Sequence, residues 1–267
     1  MGAAPAIHEA LVAKELDYVV YAGFAADLAR ANGINTRLLG ISGWGSSWEL
    51  VASTKSGINT LADLKGKKIA YTRGATPQMY LIKVLAEAGL TFDDIEPLNS
   101  TIPEGLAGVV SGSIDATIFV IGQETPLAAA GQVKVLHRGF EADKKTYYEP
   151  SVFIGRTDVY EANKEVAVAI QKAFLKTRDK AKEDVDGYYI LQSEKTGLGI
   201  DIVLATAERN LDVSLPISLD DQYIDSMKEI LEFLHVNELT AGKIDFDQWI
   251  DGKYVSNKAA REYASEK

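Results

Sequence analysis

The chain has no cysteine and only three histidines in its 267 residues. The first absence excludes disulfides, thiolate metal sites and cysteine nucleophiles, while leaving the redox compartment open. His8, His137 and His235 stand far apart in sequence and none has metal-ligand spacing, so no metal centre is expected. No apolar run reaches membrane-spanning length, and the first residues lack the basic-then-apolar order of a signal peptide, so a leader is expected to be absent from this chain. Basic charge is also short: 28 Lys and Arg against 38 Asp and Glu give a net charge of −10. Nucleic acid and anionic membrane surfaces both need a basic face, so neither is an expected partner. A small anion can still be held by local backbone N–H groups and one or two side chains. A Gly-x-Ser-x-Gly elbow, a Walker loop and a dinucleotide fingerprint are all missing, and no catalytic constellation or cofactor is implied.

What is present is an ordinary globular composition, 46% hydrophobic and 25% charged, with length enough for one large domain or two small ones. One pattern occurs twice: a proline, a helix-like stretch, an aspartate, an apolar strand-like run and a glycine. The first copy runs from Pro5 through Leu11, Val12, Leu16 and Asp17 to Tyr18-Val19-Val20-Tyr21 and Gly23. The second runs from Pro103 through Val109, Val110, Ile114 and Asp115 to Ala116–Ile121 and Gly122. Proline suits the first turn of a helix, a strand apolar on both faces suits a parallel sheet, and the glycine allows a sharp turn at the strand end. Ligands of open α/β sheets collect at that end. Two copies suggest two lobes.

Strands are expected over Thr36–Ser42, Leu50–Ser53, Lys68–Tyr71, Val133–Leu136 and Ser151–Arg156. The loop Thr72-Arg73-Gly74-Ala75-Thr76-Pro77 leads into a helix that stops at Gly89, with Thr76 the expected N-cap. A strand, a small-residue loop and a helix N-terminus make an anion cup, to which Arg73 can add a full charge; a plain βα loop with a surface arginine reads equally well. Glu124, just past a strand end, can receive a ligand amine or simply favour a helix start. Beyond Arg156 the character turns helical. Val166, Ile170, Ala173, Phe174 and Ala181 mark one apolar stripe, Ile224, Met227, Ile230, Leu231 and Leu234 another, and Ser218 with Asp221 suggests a capping box before the latter.

With these motifs in view, the chain resembles the solute-binding proteins of nitrate, sulfonate and taurine ABC importers. The matching segments are Pro5 to Gly23, Leu61-Ala62-Asp63-Leu64-Lys65-Gly66-Lys67-Lys68-Ile69-Ala70, the Arg73–Thr76 loop with its helix ending Ala88-Gly89-Leu90, and Gly112-Ser113-Ile114-Asp115-Ala116. The resemblance implies an α/β, two-lobed type II periplasmic-binding-protein fold with a helical C-terminal region. It places residues 1–53 and 150–267 in lobe one and 54–149 in lobe two. It implies a non-enzymatic, extracytoplasmic receptor that holds a small anion, such as a sulfonate, taurine or nitrate, and presents it to an ABC permease in the membrane. The ligand-facing residues it implies are Tyr21, Gly23 and Phe24; Trp44, Ser46 and Ser47; Arg73, Gly74, Ala75 and Thr76; Gln123 and Glu124; and Tyr148. The stretch Ile121-Gly122-Gln123-Glu124-Thr125-Pro126 departs from the family's commoner aromatic-acid-proline pattern, which puts a taurine-type amine contact in question.

Relatives also begin with a strand, a helix and a second strand before the segment that here starts at Pro5. The chain is therefore expected to lack that N-terminal unit and to show reduced stability or self-association. Two alternatives share the architecture: an enzyme of the thiamine-pyrimidine or menaquinone-forming type, and the ligand-sensing domain of a regulator. No helix-turn-helix or basic segment accompanies the latter reading.

Overall fold

The computed structural model describes residues 4–267. Eight strands run in chain order: β1 (Tyr18–Ala22), β2 (Thr36–Gly45), β3 (Trp48–Ser53), β4 (Lys68–Tyr71), β5 (Glu96–Asn99), β6 (Ala116–Val120), β7 (Val133–Arg138) and β8 (Glu149–Arg156). They form a three-stranded sheet, β1-β8-β2, and a five-stranded sheet, β5-β4-β6-β3-β7. The chain divides into two compact units. The first takes the chain up to Trp44, then Glu149–Tyr188 and Glu208–Lys267; the second takes Gly45–Tyr148 and Tyr189–Ala207. Residues 45–53 and 189–207 thus belong to the second unit, whereas the family resemblance assigned both to the first lobe.

The two copies of the repeat form the same local structure. Pro5 and Pro103 each occupy the second position of a helix, Ala4–Val12 and Ile102–Ser111, where a missing N–H costs nothing. Asp17 and Asp115 then bind the neighbouring strand. The Asp17 carbonyl accepts from Arg156 N–H, and the Asp115 carboxylate accepts from Lys68 N–H at 2.9 Å. The copies diverge at their glycines. Gly122 has φ +87° and makes the expected sharp turn, whereas Gly23 simply opens the helix Gly23–Ala31. Its lack of a side chain serves packing: a Cβ there would lie 2.7 Å from Met227 Sδ and 2.9 Å from the Pro150 carbonyl oxygen. The expectation of parallel pairing holds for β6 beside β4 but not for β1, which pairs antiparallel with β8 from Tyr18↔Gly155 to Ala22↔Ser151. As an edge strand, β1 leaves Val20 exposed.

In the first unit the core gathers Leu39, Phe153, Tyr160, Val168 and Leu175, with Trp249 fully buried and donating to Thr36 Oγ1 at 3.3 Å. The helix Asp221–Val236 buries Ile224, Met227, Ile230 and Leu234, as its period predicts. Its N-cap is Asp220, to which Ser218 donates, so the expected Ser218–Asp221 capping box is not formed. In the helix Lys164–Glu183 the buried face carries Ala167, Val168, Gln171 and Leu175, while Val166 and Ala173 are exposed. The apolar count misled there because a glutamine faces the core. Gln171 fills the space above side-chain-free Gly40, where a Cβ would sit 2.6 Å from its amide.

In the second unit β4 runs parallel to β5 and β6, while β3 runs antiparallel to both β6 and β7. Strands β4 to β7 therefore all end at the edge where β3 begins. The helix Ile102–Ser111 opens with a Thr101–Glu104 capping box and closes on Gly112 at φ +84°. Its Gly105 faces Thr117 of β6 closely enough that a Cβ would approach Oγ1 to 2.5 Å. Leu50, Ile69, Leu81, Val84 and Ile118 fill the core between sheet and helix Thr76–Glu87. Residues 189–207 pack here too, since a Cβ on Gly122 would collide with Ile202 and lie 3.4 Å from Leu198. Among the described residues, no helix is long and apolar enough to cross a membrane.

Candidate functional site

The sequence-predicted residues of the second unit other than Tyr148 lie at that one edge of the five-stranded sheet, joined there by Arg138, which the sequence did not single out. Ser46 and Ser47 precede β3, Arg73–Thr76 follow β4, Gln123 and Glu124 follow β6, and Arg138 ends β7. Hydrogen bonds fasten the loops together. Ile121 N–H donates to Ser47 O, Gly139 N–H to Trp48 O, and Arg73 N–H to Asn99 Oδ1 at the end of β5. A Cβ on Gly139 would collide with Ser46 Oγ and touch Tyr80, so Ser46, Gly139 and the helix Thr76–Glu87 are in close contact. This is the carboxyl edge at which open α/β sheets bind ligands.

The loop expected to form an anion cup takes the expected strand–loop–helix course with one change. Ala75, not Thr76, is the N-cap; it is extended, and no side chain caps the helix. Thr76 and Pro77 form the first turn, and Thr76 is buried. Alanine puts no capping oxygen over the first turn; Pro77 has no N–H and Gln78 N–H donates to Ala75 O at 2.9 Å, so Thr76 N–H is the first-turn donor left for an external acceptor. Gly74 takes φ +71°, which turns the loop over the helix end, and its N–H donates to Gln78 Oε1 at 2.8 Å. Arg73 is exposed, and among the described residues its guanidinium makes no ion pair or hydrogen bond. The helix dipole and one exposed cation together suit a small anion.

Beside the cup lies a buried pair of acids. Glu49 is 0% and Glu124 4% exposed, and both reach toward Arg138, Glu49 Oε2 at 3.5 Å from Nε and Glu124 Oε1 at 3.9 Å from Nη2. Arg138 is shared further with Glu141, 3.3 Å away. Both oxygens of Glu49 and Oε2 of Glu124 lack any hydrogen-bond partner that donates to them. Burial, then the Glu124 carboxyl beside it, pushes the Glu49 carboxyl up to about 9 despite Arg138. Behind them Tyr80 Oη contacts His137 Nδ1 at 2.6 Å, Tyr147 donates to Glu87 Oε2 at 2.6 Å, and His137 Nε2 lies 3.4 Å from the same oxygen.

In the first unit Tyr21, Gly23 and Phe24 lie where β1 ends beside the start of β8. Ser42 of β2 donates to Ser151 O at 3.2 Å, which brings the Gly43–Trp44 end of β2 to the same place. Trp44 lies edge-on to Tyr223, ring centroids 5.4 Å apart. Phe24 is 0% exposed, which corrects its expected role as a ligand-facing side chain: its ring belongs to the core. The Tyr21 hydroxyl is buried without a hydrogen-bond partner, and its ionisation is pushed up by burial and by Asp27. Trp44 and Gly45 are also strand, since β2 runs three residues past the expected end at Ser42.

A family model described as NMT1/THI5 like matches residues 6–186. The chain belongs to the NMT1/THI5-like family. A Bacillus subtilis (strain 168) relative named "Putative aliphatic sulfonates-binding protein" is 26% identical over 267 residues, covering 98% of this chain and 77% of its own. An Escherichia coli (strain K12) protein of the same name is 29% identical over 143 residues, 53% of this chain; the match spans less than half of that relative, 45%. The alkanesulfonate-binding protein SsuA of Xanthomonas axonopodis pv. citri, solved with bound MOPS, superposes with a TM-score of 0.76 at 21% identity, covering 93% of this chain and 84% of that one. The fold is thus that of the periplasmic binding proteins. It also carries a desulfurization enzyme, DSZB, at a TM-score of 0.70 and 18% identity over 92% of this chain and 85% of that one.

For this NMT1/THI5-like chain the structure also brings forward residues that the sequence reading passed over. Glu49 hides in Trp48-Glu49-Leu50-Val51, where an acid at the head of an apolar strand was the only signal. Arg138 was unremarkable at the end of β7. Asp27, buried inside the helix Gly23–Ala31, has both carboxylate oxygens without hydrogen bonds, and its ionisation is pushed well up by burial and by Glu149. Tyr148 lies under the Lys144 ammonium, 5.5 Å from its ring centroid. Gln123 and Ser47 are exposed, as accessible loop residues should be.

Proposed function

We propose that the chain is the extracytoplasmic ligand-capturing component of an ABC importer for a small anion, most specifically an aliphatic sulfonate. The observation that carries the reading is the anion cup of the second unit: an uncapped helix N-terminus under Gly74, with the unpaired guanidinium of Arg73 beside it. Three sulfonate oxygens can take backbone N–H groups and a guanidinium at once, a match that needs no global positive field. The sulfonate-binding relatives and the SsuA structure support the same ligand class, with nitrate and taurine as neighbouring possibilities within the family. A membrane permease is the partner that follows, with delivery of the ligand rather than its conversion as the task.

The ligand-facing residues proposed in the second unit are Ser46, Ser47, Arg73, Gly74, Ala75, Thr76, Gln123, Glu124 and Tyr148; those proposed in the first unit, taken by itself, are Tyr21, Gly23 and Trp44. A thermal-shift panel of short alkanesulfonates, taurine, nitrate, sulfate, bicarbonate and a pyrimidine tests it. A ligand at about 100 times its Kd adds about 2.7 kcal/mol to the folded state, a plainly raised midpoint. A shift confined to alkanesulfonates is the expected result, with the ligand recovered unchanged after denaturation. A response to the pyrimidine alone, or recovery of a converted product, would overturn it.

A further inference from the structure

An acidic protein that captures an anion must keep carboxylates near the capture point from repelling it. Two buried glutamates stand at the same strand edge as the cup, Glu49 at the start of β3 and Glu124 after β6. They are linked to the cup through Tyr80, which lies one helical turn from Thr76 and touches the Gly139 loop next to Arg138. Among the described residues one cation, Arg138, reaches both glutamates, and it is shared with Glu141. Two ionised carboxylates at these burials would leave a net negative charge with unsatisfied oxygens, a cost that a single shared proton removes.

We propose that Glu49 and Glu124 hold one proton between them and that anion capture at the cup is coupled to it, so that affinity falls as the proton is lost. The inference rests on the anion-binding reading given above. Glu49 is here a positioning residue: it carries the proton, touches no ligand, and acts through Glu124.

The first unit repeats the arrangement. There β8 enters antiparallel beside the end of β1, as β3 enters beside the end of β6, and each entering strand brings a buried glutamate, Glu149 or Glu49, within electrostatic reach of a buried acid that follows the repeat's glycine, Asp27 or Glu124. A recurrence in both halves marks the pair as part of the design of the edge rather than a local accident.

The charged and titratable groups facing the pair are few. From β7 come Arg138 and His137, from the loop after it Glu141, and from the helix Thr76–Glu87 Tyr80 and Glu87. Among the described residues, Tyr147 from the following helix completes the set. Burial raises Tyr80 and Tyr147 and lowers His137, so these groups stay neutral while the pair titrates.

Calorimetric titration with ethanesulfonate, in buffers free of sulfonates, measures the coupling. Wild-type affinity should be level in neutral solution and fall toward about tenfold per pH unit once the pH passes the Glu49 value of about 9. In E49Q the fall should vanish. A carboxyl-carbon NMR titration of the wild-type protein reads the proton directly and needs no variant. A Glu49 signal moving near pH 9 supports the pair, and one moving in the ordinary carboxylate range overturns it. Equal pH profiles for wild type and E49Q would overturn the coupling. Failure of ethanesulfonate to bind at any pH would overturn the sulfonate reading and the coupling with it, leaving the NMR titration to decide whether the proton is held.

Discussion

Arg73 supplies the full charge of the proposed cup, and its guanidinium is exposed and without a partner among the described residues. Arg73→Gln should therefore weaken ethanesulfonate binding by about 10- to 100-fold, the range of one charge-assisted hydrogen bond, with the melting temperature unchanged. Glu49 behaves in the opposite way, because its side chain is buried and matters to the fold itself. Its folded-state value of about 9 lies far above the ordinary 4.5, so the native state binds the proton more tightly than the unfolded chain. The stability it contributes is fully present below the ordinary carboxylate range and is lost as pH rises through about 9. Urea unfolding followed across that window should show a loss on the order of a few kcal/mol, and E49Q should remove Glu49's share of the slope.

Among the elements, the helix Ile102–Ser111 shows how glycine sets an approach distance. Gly105→Ala would raise intrinsic helix propensity by about 1 kcal/mol. Sterics oppose it: the new Cβ would meet Thr117 Oγ1 at 2.5 Å, and that hydroxyl is itself buried and bonded to Ala70 O at 3.3 Å. Neither partner can yield cheaply, so Gly105→Ala should destabilise by about 1–3 kcal/mol in urea unfolding. The segment 189–207 poses the matching question for the site. Ile202 packs on the Gly122 turn that leads to Glu124, so Ile202→Ala should loosen that turn, lower ethanesulfonate affinity severalfold and cost about 1–2 kcal/mol of stability. Calorimetry on the folded variant separates the two effects.

At the scale of the whole molecule, a net charge of −10 repels the anion proposed for the cup. The long-range field and the local contact respond oppositely to salt. Raising ionic strength from low salt to physiological should speed ethanesulfonate association by about two- to threefold while the dissociation rate rises as well, a pattern that stopped-flow tryptophan fluorescence can resolve. A basic steering field would give the reverse, with association slowed by salt. The chain also passes between its two units four times, so neither unit is a continuous stretch of sequence. Any truncation inside 149–207 consequently removes part of both.

Local chemistry was legible in the sequence alone. The doubled Pro-to-Gly pattern located both repeats, because proline, aspartate and glycine act within a few residues of where they stand. The βα loop at Arg73–Thr76 was readable for the same reason, down to a one-residue error in its cap. What only the tertiary structure decided is everything that depends on residues far apart in the chain. It placed the antiparallel partner of β1, gave residues 189–207 to the second unit, and turned Phe24 from a candidate contact into core. It also brought together Glu49, Glu124 and Arg138, separated by up to 89 positions. Burial, unlike a turn or a cap, is a property of what packs around a side chain, and a lone glutamate at the head of a strand does not announce it.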